Sequence, residues 1–156
     1  MPRHSHLAAF SLIELLVILA ILAIAASIAV PGFTQLMRDQ QVQAAADELR
    51  GLLLYTRGEA ATRGAKVLLK AEGSGLWAGV LRVSQGERVL RQREPLGNLA
   101  ISANRASLGF HGDGRQVEST ATCISVCPVG AQGGCQQIQV QPSGRVLAPA
   151  AGSCAN

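Results

Sequence analysis

The stretch FSLIELLVILAILAIAASIAV, residues 10–30, decides how this chain folds. It contains one charged side chain, Glu14, and neither glycine nor proline. As an α-helix it would extend about 31 Å, at about 1.5 Å per residue, which matches a hydrocarbon core of about 30 Å. The stretch therefore predicts one membrane span near the N-terminus.

The residues before this span form a short polar, basic segment that ends in the small pair Ala8-Ala9. A conventional secretory signal has its small-residue cleavage site after the apolar core, and Ala26-Ser27-Ile28 or Ala25-Ala26-Ser27 would be such a site here. Because the small pair stands before the core instead, we interpret residues 1–9 as a cleavable leader.

The span is followed by a second helical segment, residues 31–63. Pro31-Gly32 interrupts the apolar run, so we expect a kink or a locally weakened turn there, after which the helix resumes. Apolar residues then recur at three- and four-residue spacing: Phe33, Leu36, Met37, Leu49, Leu52, Leu53 and Ala60. We expect this amphipathic half to pack on the protein's own domain and to end at Gly64.

Residues 64–156 read as a small β-rich domain. Short β-prone runs alternate with turn residues, at 66–70, 76–84, 88–92, 106–110, 122–127, 136–141 and 145–148. Pro142-Ser143-Gly144 is a turn signal that would make a hairpin of the last two runs. The predicted fold class is α+β, a long N-terminal helix packed on a small antiparallel sheet.

All four cysteines lie in this domain, which predicts disulfides formed in an oxidising compartment. A bond between Cys123 and Cys127 is disfavoured, because four residues of one strand span about 13 Å and bridged Cα atoms lie within about 7 Å. A hairpin around residues 128–134 would pair Cys127 with Cys135 and leave Cys123 for Cys154. A tail folded along the final hairpin would instead join Cys135 to Cys154. The spacing does not predict a metal site.

Glu14 is the most informative residue of the span. A charged side chain costs about 2.5 to 3.5 kcal/mol at the bilayer centre and less near the interface, so it is expected to have a partner. Cleavage before Phe10 would create an ammonium group four residues away, in the same subunit or in a neighbour. The alternative is a tolerated polar residue that reaches the membrane interface.

The sequence from Ala9 to Leu16, AFSLIELL, resembles the prepilin processing motif of type IV pilins and pseudopilins. The resemblance implies that a prepilin peptidase cuts between Ala9 and Phe10 and N-methylates Phe10. It also implies that Glu14 recruits and registers subunits in a growing fibre. Pro31 lies where pilins commonly have a helix-interrupting proline, and Ala9 stands where the family usually has glycine.

The rest of the chain is similar to the FimT, FimU and GspH group of minor pilins and pseudopilins. The similar segments are 53–60, 77–80 and 138–146. The resemblance implies the pilin fold and a low-abundance subunit that primes assembly of a type IV pilus or sits at its tip, with other pilins as partners. It places the chain in the bacterial inner membrane with a periplasmic C-terminal domain. The alternative is a GspH-like pseudopilin of a type II secretion system.

The formal charge of +4 comes from the C-terminal domain, which suggests a second alternative. Some FimT-like members are implicated in DNA uptake through a Gly-Arg-x-Arg pattern. Here that pattern is incomplete, since Gly144-Arg145 is followed by Val146-Leu147. Arg91 and Arg93 would share one face of a strand, with Arg88 nearby, and these arginines are candidates for sequence-independent phosphate contacts. The competing interpretation is an ordinary solvated surface.

The sequence offers no signature of catalysis. No nucleophile elbow, phosphate-binding loop or calcium-loop pattern occurs. His111 and Asp113 lie in a glycine-rich turn, which we expect them to shape rather than to use as a catalytic dyad. We therefore expect a structural protein without enzymatic activity, cofactor or metal.

Overall fold

The computed structural model describes residues 12–72, 77–97, 99–130 and 133–154, without the side chains of Ala29 and Pro31. The predicted leader and the cleavage pair Ala9-Phe10 lie outside these ranges. Within them one long helix, α1, precedes eight strands. The elements are α1 Leu12–Arg63, β1 Val67–Ala71, β2 Leu81–Gln85, β3 Arg88–Arg93, β4 Leu99–Ala103, β5 Ser107–Phe110, β6 Thr122–Pro128, β7 Gln136–Val140 and β8 Ala150–Ala151.

The chain divides into two compact units between Met37 and Arg38. The described part of the first unit is the beginning of α1, which continues without interruption through Pro31 and Gly32. The helix thus resumes after the proline as expected, whereas the kink stays a prediction. By length and composition, α1 is the one helix of the described residues that could cross a membrane.

Three residues of the predicted amphipathic face differ from the expectation. Phe33, Leu36 and Met37 are exposed, so the prediction that they pack on the protein's own domain is wrong. The reason is that burial of α1 in the described structure starts only at Val42. The apolar surface of the first unit therefore extends beyond residue 30, where the sequence alone placed its end.

In the second unit, one face of α1 forms the centre of the core. The buried positions recur at three- and four-residue spacing: Val42, Ala45, Ala46, Leu49, Leu52, Leu53 and Ala60. Thr56 lies on the same face, and its hydroxyl donates a hydrogen bond of 2.7 Å to the Leu52 carbonyl. The buried polar group is satisfied within the helix, so the face remains continuous.

Two four-stranded antiparallel sheets complete this core, where the sequence predicted one. Their strand orders are β3-β2-β1-β5 and β4-β6-β7-β8. Alternate residues of the strands point into the core, including Val67 and Leu69 of β1 and Ile124 and Val126 of β6. The α+β class with a helix packed on antiparallel sheet is confirmed.

Three strand predictions need correction. The run predicted at 76–84 becomes a strand only at Leu81, because Trp77 lies in a turn, buried, and its indole N–H donates to the Arg105 carbonyl at 2.7 Å. Strand β4 was not predicted. Residues 145–148 form one isolated bridge, Val140 to Val146, rather than a strand. Regular pairing with β7 resumes only at β8, after Pro149, which has no N–H to donate.

Two disulfides fasten the second sheet, Cys123 to Cys154 and Cys127 to Cys135, with Cα–Cα distances of 5.8 and 4.3 Å. These are the pairs of the hairpin arrangement. The tail does fold along β7, but it then crosses to β6, where the Cys154 N–H donates to the Ser125 hydroxyl at 2.7 Å. In the chain-entropy model, the Cys123–Cys154 bond, which closes the longer loop, adds roughly 3.7 kcal/mol to the free energy of unfolding. The Cys127–Cys135 bond, which closes the shorter loop, adds roughly 2.5 kcal/mol.

Replacing Gly51 or Gly58 by alanine should stabilise the protein. Both glycines lie inside α1 on its exposed side, and a methyl group at either position would meet no atom within 4 Å. Glycine inside a helix costs about 0.5 to 1 kcal/mol relative to alanine, so each change should raise the free energy of unfolding by about that amount in urea titrations. Gly109→Ala is the opposite control, because its methyl group would lie 2.9 Å from Val117 Cγ2 and should destabilise. Unchanged or lower stability in both helix variants would contradict the prediction.

Candidate functional site

The first unit presents an apolar helix surface with one carboxylate. Glu14 lies in the first described turn of α1. From Leu12 to Met37 the large apolar side chains are between 41% and 77% exposed. Such a surface is stable only in lipid or against other apolar helices. The role predicted for Glu14 in subunit registration stays a prediction.

In the second unit, the predicted pair Arg91 and Arg93 faces α1. The Arg91 guanidinium lies over the Tyr55 ring, 5.1 Å from its centroid, a cation–π geometry. Arg93 forms an ion pair with Glu48. Both arginines therefore hold the edge strand β3 against the helix.

A β-bulge interrupts the pairing of β3 next to these two arginines. Val83 of β2 is opposite Arg91 and Ser84 is opposite Val89, which leaves Leu90 as an extra residue. A bulge bends its strand and re-aims the neighbouring side chains. Leu90 packs against the core, whereas the Arg91 side chain is exposed over Tyr55 and Arg93 is half-buried.

The other two predicted phosphate contacts are on the surface. Arg88 and Arg145 are exposed, the first on β3 and the second in the turn after β7. Two of the four candidate arginines, Arg91 and Arg93, thus contact α1, and Arg91 is exposed like Arg88 and Arg145. A DNA contact stays a prediction for Arg88, Arg91, Arg93 and Arg145.

The turn after β5 is closed by three hydrogen bonds. The His111 N–H donates to the Arg115 carbonyl and the Gly114 N–H to the His111 carbonyl, both at 2.8 Å. The Asp113 carboxylate accepts the Arg115 N–H at 2.9 Å. Asp113 thus shapes the turn, as the sequence indicated, and Gly114 supplies its positive φ of 79°.

The turn after β7 repeats this arrangement thirty residues later. The Gln141 N–H donates to the Arg145 carbonyl at 2.9 Å and the Gly144 N–H to the Gln141 carbonyl at 2.8 Å. Gly144 has a φ of 83°. An isolated bridge follows each turn, Phe110 to Gln116 and Val140 to Val146. We call these two segments, residues 111–115 and 141–145, the twin turns.

The twin turns pack on each other and on α1. A methyl group at Gly144 would overlap the Gly114 carbonyl oxygen and lie 2.9 Å from its carbon. The Gln116 N–H donates to the Pro142 carbonyl at 3.1 Å. From the helix, Arg57 Nε donates to the same Gly114 carbonyl at 3.0 Å. Three distant parts of the chain thus meet at one carbonyl group.

This junction contains residues that sequence reasoning did not select. Arg57, Gly114 and Arg115 were not among the candidate site residues, although Arg57 lies in the similar segment 53–60. The signal that could have found the junction is the second Gly-Arg pair, at 114–115, thirty residues before Gly144-Arg145.

A cavity of about 520 Å³ lies beside the first twin turn, lined by side chains of both charges that include Asp113, Arg115 and Glu118. Below it, buried Gln116 donates from Nε2 to the Thr122 hydroxyl at 2.5 Å and to Glu118 at 3.3 Å. Within the described ranges no group of three or more His, Cys, Asp or Glu side chains is placed to hold a metal ion.

Comparison with protein families gives a match to the model described as type II transport protein GspH, over residues 45–144. The match runs from the buried half of α1 to the second twin turn, and it covers more than half of the chain. No curated protein sequence matches the chain.

Solved structures with the same fold include a type IV minor pilin and a minor pseudopilin. The type IV minor pilin FimU of Pseudomonas aeruginosa is 23% identical over 70% of this chain and 88% of that chain, with a TM-score of 0.65. The minor pseudopilin EpsH from the type II secretion system of Vibrio cholerae is 14% identical over 71% of this chain and 97% of that chain, with a TM-score of 0.55. At these identities the likeness establishes the fold alone.

Proposed function

Because this chain belongs to the GspH family and is thus a minor pilin or pseudopilin, we propose that it is a minor pilin of a type IV pilus. It contributes to the initiation of the fibre or to its tip, and it assembles through its N-terminal helix. Within the first unit, the observation that carries the proposal is the exposed apolar surface from Leu12 to Met37, interrupted by the carboxylate of Glu14.

The apolar surface of the helix contacts lipid before assembly and other helices after it. Before assembly, lipid covers the apolar side chains, since a run of this length matches the bilayer core. In the fibre, the helices of neighbouring subunits replace the lipid. Glu14 then pairs with the N-terminal amine that cleavage before Phe10 creates, in its own chain or in a neighbour. Burial of both charges together lowers the cost of burying either one.

The proposal includes the cellular route of the subunit. A prepilin peptidase removes residues 1–9 and methylates Phe10, and the chain is held in the inner membrane with its second unit in the periplasm. The two disulfides support an oxidising compartment for that unit.

The N-terminus of the mature protein tests this route. Mass spectrometry of the chain purified from its host, and of the fibre fraction sheared from the cells, should find a methylated Phe10 as the first residue in both. A mature N-terminus elsewhere, or absence of the chain from the fibre fraction, would refute the proposal.

A pseudopilin of a type II secretion system is the alternative, and the EpsH likeness supports it as the FimU likeness supports a pilus. Deletion of the gene in the host separates the two. Loss of surface fibres with normal protein secretion is the result expected for a type IV minor pilin. Loss of secreted proteins with normal surface fibres would assign the chain to the secretion system.

A further inference from the structure

The twin turns present one arginine each, in the same way. Gly114 and Gly144 are buried, while Arg115 and Arg145, which follow them, are exposed. The hydrogen bonds that close the two turns run between equivalent residues. The two guanidinium groups are therefore carried by equivalent backbones rather than by unrelated loops.

The two arginines also start from neighbouring points. A methyl group at Gly144 would lie 3.2 Å from the Arg115 Cα, so the two backbones are in contact. Arg145 follows Gly144 directly, about 3.8 Å further along the chain. The bonds of Arg57 and Gln116 to the twin turns fix this arrangement. A fixed backbone reduces the entropy lost when the side chains bind.

Neither arginine of the pair is neutralised by an ion pair within the described part of its own chain. Among the described residues, ion pairs join Arg63 to Glu59, Arg82 to Glu72 and Arg93 to Glu48, and neither Arg115 nor Arg145 takes part in one. Two carboxylates line the cavity beside Arg115, and each accepts a hydrogen bond from another group. Asp113 accepts the Arg115 backbone N–H, and Glu118 accepts the Gln116 amide.

We propose that Arg115 and Arg145 form a two-arginine docking site for carboxylates on a neighbouring subunit of the fibre. The inference rests on the proposed function, because it names the partner chemistry of one surface in that assembly. Guanidinium groups bind carboxylates through paired hydrogen bonds in a fixed fork, and arginine is enriched among the residues that dominate interface energies.

Carboxylates fit this site better than duplex DNA does. Nucleic-acid binding without sequence preference depends on neutralising many phosphates, whereas this site offers two arginines. Bases in single strands are held by stacking on aromatic rings, and the chain's tryptophan and tyrosine are engaged elsewhere. Trp77 is buried, and Tyr55 lies under Arg91.

Site-specific photo-crosslinking of the full-length chain in its host tests the proposal. A photoreactive residue at Ser143, which is exposed in the second twin turn, should capture another pilin subunit that mass spectrometry identifies.

The double change Arg115→Glu and Arg145→Glu should reduce this product at least tenfold. The matched control, Lys66→Glu with Lys70→Glu, reverses two exposed charges outside the twin turns and should leave it within about twofold. Arg115→Gln with Arg145→Gln should give an intermediate loss. Reversing the charge of the carboxylates on the captured subunit should restore the crosslinked product of the Arg115→Glu, Arg145→Glu variant.

Two results would overturn the inference. One is an equal yield of crosslinked subunit in the arginine variants and the control. The other is retardation of duplex DNA at low salt by the purified full-length chain in detergent, lost in the Arg115→Glu, Arg145→Glu variant, with subunit crosslinking unchanged. In either case a wild-type chain present in the fibre leaves the proposed function intact, whereas a wild-type chain absent from it refutes the proposed function itself.

Discussion

Replacing Glu14 by alanine should insert the chain into the membrane at least as well as the wild type but reduce its incorporation into fibres more than tenfold. Removal of the carboxylate lowers the cost of a charge in the span, which is about 2.5 to 3.5 kcal/mol at the bilayer centre. The same removal deletes the attraction to a neighbouring amine, about 4 kcal/mol for two unit charges 4 Å apart at an effective dielectric constant near 20. Quantitative immunoblots of membrane and sheared fibre fractions measure both effects.

Two further variants separate charge from polarity in this span. Ser27→Ala is the matched control, because the Ser27 hydroxyl already donates to the Ile24 carbonyl at 2.7 Å within its own helix, and its incorporation should be normal. Glu14→Gln keeps the size and polarity of the side chain but not its charge, so it should fail like the alanine variant. Normal incorporation of the alanine or the glutamine variant would remove the role assigned to the charge.

The sequence predicted those elements whose signals are local. The apolar helix is indicated by its length and composition. The buried positions Leu49, Leu52 and Leu53 of α1 and most strands follow from periodicity, because the core side of each element repeats at 3.6 or 2 residues. Strand β4 was not predicted because its sequence, LAISA, is short and has two alanines, which have low strand preference. The wrong strand at 145–148 has the right residue types, but only Val146 makes a bridge before Pro149.

The candidate site was less predictable because its geometry depends on distant residues. Alternation along β3 correctly grouped Arg91 with Arg93, yet it cannot tell which side of the strand faces α1. The answer depends on Tyr55 and Glu48, which come 36 and 45 positions earlier in the chain. The same holds for Arg57 and Gly114, whose hydrogen bond joins residues 57 positions apart.

Replacing Gly144 by alanine should destabilise the second unit by more than about 4 kcal/mol. An L-residue in the left-handed region costs about 1 to 2 kcal/mol, and Gly144 has a φ of 83°. The added methyl group would also overlap the Gly114 carbonyl oxygen, which is backbone and cannot rotate away. Relief of the overlap requires the twin turns to separate, which breaks the Gln116–Pro142 hydrogen bond and disturbs the Arg57 contact. Losses of this size are a large part of the roughly 5 to 15 kcal/mol that stabilises a domain.

Urea unfolding of the purified chain in detergent, with its disulfides intact, measures the loss. Gly86→Ala is the matched control: Gly86 also has a positive φ, 57°, but a methyl group there would meet no atom within 4 Å, so it should cost only about 1 to 2 kcal/mol. Gly114→Ala should fall between them, because its methyl group would meet the flexible Arg57 side chain at 3.3 Å. Equal losses in the Gly144 and Gly86 variants would mean that φ alone, and not contact between the twin turns, requires the glycine. If the losses are graded as expected, Gly144 is required for packing of the twin turns, while Arg145 presents its charge to solvent. The series of glycine variants tests the packing role independently of any ligand.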